Sequence, residues 1–185
     1  MRGRSLFVTP FCLVVLWSGQ STAGADAAAG NLVENGSFEQ DADSDGVPDG
    51  WTVSGRQDIK QRLTRDAGRE GGHSAKLSCT EFAGGTPDAH AMVCQVGAIG
   101  VKRGQWYRLS FWAKSRDIER SSCQVALSKT KPWGSSGIGA SFTVSEAWRH
   151  VERFCQATDN VPAEHSRLQF WYGDTGTLWL GDIIL

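Results

Sequence analysis

The chain has 185 residues, 40% of them hydrophobic and 21% charged, with 19 Lys and Arg against 20 Asp and Glu and a formal net charge of −1. That length suits one domain with a substantial core. The near balance of charge offers no basic surplus for nucleic acid or an anionic membrane surface.

The first residues read as an export signal. Arg2 and Arg4 give a basic start, Leu6 to Trp17 is almost wholly apolar, and Ala23 and Ala25 have the small-residue spacing of a signal-peptidase site. The apolar run holds about a dozen residues, short of the roughly 20 that a membrane helix needs. Residues 1–25 are therefore expected to be a secretory signal peptide cleaved after Ala25, with Ala27 as the second choice, which places the protein outside the cell or in the periplasm. Residues 26–30 follow as a short linker, and 31–185 as one domain. Loss of Arg2 and Arg4 leaves 17 basic against 20 acidic residues, a net −3. This mildly acidic surface fits a soluble monomer without membrane insertion.

Next comes an Asp-rich loop. Asp41, Asp43, Asp45 and Asp49 occupy positions 1, 3, 5 and 9 of a nine-residue stretch with Gly46 at position 6. This is the front half of an EF-hand-type calcium loop, in which the glycine permits a sharp turn. Thr52 stands where the twelfth-position Glu belongs, and helical periodicity is absent on both sides. The loop looks more like the short calcium loops of thrombospondin type 3 repeats. The alternative is a polar turn leading to Trp51.

From there the chain shows short runs rich in Val, Phe, Trp and Leu, broken by Gly, Pro, Asp and Ser, a strand-and-turn pattern. Strands are expected at His73–Cys79, His90–Val96, Gln105–Lys114, Ser122–Ser128, Ala140–Val144, Arg149–Cys155, Ser166–Tyr172 and Leu178–Leu185. Loops fall at 84–87, 131–137 and 174–176. Two strands alternate clearly. Tyr107, Leu109, Phe111 and Ala113 oppose Trp106, Arg108, Ser110, Trp112 and Lys114. Leu168, Phe170 and Tyr172 oppose Gln169 and Trp171. Eight short strands suit an all-β, two-sheet antiparallel sandwich of jelly-roll type.

Cys79, Cys94, Cys123 and Cys155 remain beyond the signal peptide, and an even number in an exported chain predicts two disulfides. Three connectivities exist. Cys79–Cys94 with Cys123–Cys155 is preferred, because each pair lies on candidate neighbouring strands. A zinc site is the weaker reading, since no Cys-x-x-Cys spacing occurs.

Several segments carry a family likeness. They are Asn31-Leu-Val-Glu-Asn-Gly-Ser-Phe-Glu39, Asp49-Gly50-Trp51, Gly72-His-Ser-Ala-Lys-Leu77, Gly104 to Lys114, Trp148, and Leu178-Trp-Leu-Gly-Asp-Ile-Ile-Leu185. In this order and spacing they resemble carbohydrate-binding modules of the family 4 and family 9 type, which are galactose-binding-like jelly rolls. The resemblance spans nearly all of the mature chain. It implies a non-catalytic module that binds polysaccharide or oligosaccharide, appended to or working with a glycoside hydrolase. It also implies one structural calcium, with carboxylates from Glu39 and Asp182 and carbonyls of Ser37 and a residue near Lys76.

A sugar presents apolar C–H faces and a rim of hydroxyls, so its site needs aromatic platforms beside hydrogen-bonding side chains. The residues out of phase with the core meet that need. If their strands share one sheet, Trp112, Trp171, Arg108 and Gln169 line a groove, with Gln124 and Ser128 from a third strand. Trp133, in the 131–137 loop, is a further candidate cap. Trp51, Trp148 and Trp179 are assigned to the core or sheet edges. Catalysis is not expected: no Gly-x-Ser-x-Gly, no His-Glu-x-x-His and no acid–base pair of carboxylates is recognisable. A structural or adhesive module that binds protein is the alternative, and part of a glycosyl hydrolase the second.

Overall fold

A computed structural model of the chain describes residues 30–185. The expected signal peptide and all but the last residue of the linker lie outside the described residues. Ten strands form two five-stranded antiparallel sheets: β1 Thr52–Val53, β2 Lys60–Ala67, β3 His73–Glu81, β4 Ala91–Val96, β5 Trp106–Arg116, β6 Ser122–Thr130, β7 Trp133–Thr143, β8 Arg149–Gln156, β9 Ser166–Tyr172 and β10 Gly176–Ile184. One sheet has the order β1-β4-β9-β6-β7 and the other β2-β3-β10-β5-β8. Among the described residues the helical content is a single 3-10 turn, Ala163–His165.

Period-two alternation builds the core. Val93, Val125, Leu127, Leu168 and Phe170 point inward from the first sheet, and Leu77, Leu109, Phe111, Leu178 and Leu180 from the second. Aromatic rings knit the two layers: Phe170 lies 5.1 Å from Phe111 and 6.4 Å from Trp51, and Phe111 lies 4.9 Å from Phe142. Trp51 is in the core as expected, its indole N–H donating to the Asn35 carbonyl at 3.2 Å. Asn31 ties the opening segment to the last strand, accepting from Leu185 N at 3.0 Å and donating to Ile183 O at 3.2 Å. Within β10 the register shifts after Gly181, with Asp182 at φ 50, a bulge that returns Ile183 to the core.

The fold expectation holds, and all eight expected strands are present. Two were not expected. β2 has only Leu63 buried among Lys60, Arg62, Thr64, Arg65 and Asp66, as befits a charged edge strand that discourages further pairing. The 131–137 loop is smaller than expected, because β7 already begins at Trp133.

The predicted disulfides are corrected. Among the described residues, Cys79, Cys94, Cys123 and Cys155 are free thiols. β3 and β4 belong to different sheets, and Cys79 points into the core whereas Cys94 sits on the far face of β4 near Arg167. Cys123 pairs opposite Phe142, while Cys155 Sγ lies 3.8 Å from the Gly139 carbonyl. Those points are three residues apart on β7, about 10 Å of strand and beyond a disulfide's reach of roughly 7 Å between Cα atoms. Burial pushes the Cys123 thiol up to about 12. Maleimide labelling at pH 8 is therefore expected to modify half-buried Cys155 first in the folded protein and all four positions in denaturant. Persistent protection of one pair in denaturant would restore the disulfide.

Candidate functional site

The outward face of the β1-β4-β9-β6-β7 sheet carries the candidate site. Alternation opposite to Leu168 and Phe170 turns Arg167, Gln169 and Trp171 outward on β9. Register places Met92 of β4 and Gln124 of β6 on either side of Trp171, and Cys94 and Ala126 on either side of Gln169. Ser128 lies opposite Arg167. Trp133, at the start of β7, is 61% exposed, with the Arg167 guanidinium 5.7 Å from its ring centre. His90, just before β4, leans on Trp171 with ring centres 5.7 Å apart, and burial lowers its pKa, so the imidazole is neutral at pH 7.

Three clefts open along this face. One of about 600 Å³ lies among Arg56, Asp88, His90, Trp133, Arg167 and Gln169. Another, of about 380 Å³, is bounded by Phe82, His90, Arg120, Gln124, Trp171 and Asp174. The third, of about 340 Å³, has a floor of small residues, Ala126, Gly137 and Gly139, beside Trp171. Trp171 borders two of them, and together they suit a ligand several rings long.

Two buried polar atoms on this face have no partner. Gln169 is 7% exposed; its amide N lies 3.5 Å from Ser128 Oγ, at the limit of a hydrogen bond, and its Oε1 has none. Arg167 Nε is likewise unsatisfied, and Nη2 meets only the thioether of Met92 at 2.8 Å, a weak acceptor. Buried polar atoms are nearly always paired, so an unmet acceptor and an unmet donor side by side mark a place where a ligand completes the network.

The expected groove is corrected in its membership. Trp112 and Arg108 are on β5 of the other sheet, and their side chains face the opposite side of the molecule. There Trp112 is capped: the Arg69 guanidinium stacks 3.5 Å from its ring centre and His150 lies 5.0 Å away. Arg108 is ion-paired with Glu152 at 2.6 Å. Lys114 sits 4.9 Å from both Trp148 and Trp179. Cation–π contacts from the chain itself thus occupy the indoles of Trp112, Trp148 and Trp179, while Trp106 at the start of β5 is 66% exposed. Trp171, Gln169, Gln124, Ser128 and Trp133 do come together, and Arg167, His90 and Met92 join them.

Of the residues considered for calcium, Glu39 takes the backbone N–H of His73 at 2.9 Å and its imidazole at 2.6 Å. Burial alone would raise the Glu39 pKa, but those hydrogen bonds and the nearby imidazole hold it below the usual carboxylate range. Asp182 faces Arg69 at 3.4 Å, and Ser37 is half-buried. A metal here would have to displace His73 and Arg69. Asp41, Asp43 and Asp49 do converge, while Asp45 instead accepts the Val47 N–H at 2.7 Å.

The model of a carbohydrate binding domain family, CBM_4_9, matches residues 30–175. The chain belongs to this carbohydrate binding domain family. Solved structures agree in fold with that family assignment. A CBM4 structure superposes with a TM-score of 0.58 at 19% identity, covering 81% of this chain and 96% of the other. The N-terminal cellulose-binding domain of Cellulomonas fimi β-1,4-glucanase C gives 0.57 at 18% identity, covering 84% and 95%. A family 16 carbohydrate binding module gives 0.55 at 19% identity, covering 83% and 97%. No curated protein matches the chain. Among the described residues of this family member, no helix is long and apolar enough to cross a membrane.

Proposed function

We propose that the protein is an exported, non-catalytic module that binds a polysaccharide or oligosaccharide across the outer face of the β1-β4-β9-β6-β7 sheet. Trp171 is the stacking platform, with Gln124, Gln169, Arg167 and His90 around it and Trp133 closing one end. The observation that carries this reading is the pair of unmet buried groups, Gln169 Oε1 and Arg167 Nε, beside a half-buried indole. A sugar hydroxyl both donates and accepts, so with a small shift of these two side chains the hydroxyls of successive rings meet both groups while a C–H face covers Trp171. The family supports a saccharide ligand.

Catalysis finds no support in the same clefts. Glycoside hydrolysis requires a carboxylic acid that keeps its proton near neutral pH. Of the cleft carboxylates, Asp174 accepts the backbone N–H groups of Glu119 at 3.0 Å and Thr175 at 2.7 Å, one on each oxygen, and Asp88 is held below its ordinary pKa by the Thr86 hydroxyl and its own backbone N–H. Its neighbour Asp58 is held down by the hydrogen bond and charge of Arg56. Both are ionised at neutral pH, and neither is a proton donor. Export rests on the N-terminal sequence alone, and association with a glycoside hydrolase on the family likeness.

The test is native electrophoresis through gels cast with xylan, β-glucans, mannan, laminarin or pectin. Retardation by one glycan is expected. The Gln169→Ala variant should bind that glycan about tenfold more weakly, because one hydrogen-bonding group worth roughly 1.5 kcal/mol is lost. A folded protein that none of these glycans retards would count against the reading and favour a protein-binding module.

A further inference from the structure

The loop ahead of β1 carries a second arrangement, independent of the glycan face. Asp41, Asp43 and Asp49 each offer a carboxylate oxygen, and these atoms all lie within 4.8 Å of one another. The backbone holds the loop in shape: Asp49 N–H donates to Gln40 O at 2.9 Å, and Arg65 N–H donates to Gly46 O at 2.6 Å, anchoring it to β2. Such a turn alone says nothing of a ligand.

What points to a ligand is Asp41. Its side chain is only 5% exposed, yet Oδ1 is buried without a hydrogen-bond partner. The other oxygen has Arg65 Nε at 3.6 Å, beyond hydrogen-bonding distance, and Arg65 Nη1 donates elsewhere, to Glu39 O at 2.9 Å. A buried carboxylate with an unmet oxygen is costly unless a cation or a donor meets it. Here two further carboxylates stand beside it.

We propose that Asp41, Asp43 and Asp49 bind one calcium ion, with Asp41 Oδ1 as its buried ligand. The donor set is all oxygen, which suits a hard cation and not zinc. Calcium accepts irregular oxygen coordination at about 2.3–2.6 Å, as an asymmetric loop of three carboxylates offers, whereas magnesium at about 2.1 Å demands a near-ideal octahedron. Water completes the six to eight oxygens that calcium takes. Asp45, which the spacing would enlist, serves the turn instead: its N–H donates to Asp43 Oδ1 at 3.3 Å. The ion clamps the opening segment onto β2.

Thermal melting of the full chain in calcium, magnesium and EGTA, with calorimetric titration of calcium, tests this. Calcium at about 100 times its Kd should raise Tm by about 5–10 °C over EGTA, and magnesium by far less. Asp41→Asn should lose the shift; in EGTA it relieves repulsion among the three carboxylates while giving up the ion pair to Arg65, so its melting should stay close to that of wild type. Asp43→Asn, at an exposed position that leaves buried packing alone, should weaken calcium binding at least about tenfold and guards against a folding failure at Asp41. Glu39→Gln should retain the shift, which separates this loop from the Glu39 and Asp182 position. The proposal is overturned by wild-type melting that ignores calcium. It is equally overturned by a shift that survives in Asp43→Asn or is lost in Glu39→Gln alone.

Discussion

Replacing Trp171 by Ala is expected to weaken glycan binding by at least about 30-fold, a loss of roughly 2 kcal/mol or more. The indole is half-buried between His90, Met92 and Gln124 and borders two of the three clefts, so a sugar ring on this face has no other platform at its centre. Trp171→Phe keeps a smaller ring and should recover part of the affinity. Trp112→Ala should leave binding unchanged, because Trp112 is on the opposite face under Arg69. That variant should instead lower stability, through loss of a cation–π contact worth about 0.5–2 kcal/mol. Affinity electrophoresis beside thermal melts separates the two effects. Equal loss of binding in both variants would remove Trp171 from its proposed role.

The Phe170→Ala variant should be the most damaging single change to the fold, destabilising it by about 3–5 kcal/mol. Phe170 is fully buried and touches rings from both sheets: Phe111, Phe142 and Trp51. Truncation leaves a cavity that these rings cannot all collapse into, because Phe111 and Phe142 are fixed by their strands and Trp51 by its hydrogen bond to Asn35. Urea unfolding should show a lower midpoint with an unchanged slope. A loss below about 1 kcal/mol would mean that the aromatic cluster is not the centre of the core. The same residue lies between Gln169 and Trp171, so a surviving folded fraction should still bind glycan, with lower occupancy of the folded state.

Much of this architecture is legible in the sequence because strands declare themselves by alternation. β5 and β9 are read correctly, including which residues face out. What alternation cannot give is the sheet to which a strand belongs. Trp112 and Trp171 are both out of phase with the core, yet they occupy opposite outer faces, since pairing depends on contacts far apart in the chain. The cysteine pairing fails for the same reason: Cys79 and Cys94 are on successive strands that enter different sheets. β2 escapes notice because its outer edge is charged and only Leu63 reaches the core. Arg167 shares the parity of Gln169 and Trp171, a signal sufficient to place it on the site. His90 and Met92 share a parity too, but their nearness to Trp171 follows only from the β4–β9 register. In the Asp-rich loop, spacing alone identifies Asp41, Asp43 and Asp49, while the local turn takes Asp45 out of the set.

The central claim is that one sheet face, and not the other, meets the glycan. Nitrogen-15 heteronuclear NMR reads it directly, because the indole N–H signals of Trp112, Trp133, Trp148, Trp171 and Trp179 report on both faces. Titration with a fragment of the retarding glycan should shift the indoles of Trp171 and Trp133, the side-chain amides of Gln124 and Gln169, and the Arg167 Nε–H. The indoles of Trp112, Trp148 and Trp179 should stay still. Shifts confined to those three, or to exposed Trp106 and the residues around Phe154, would place binding on the opposite face and contradict the account.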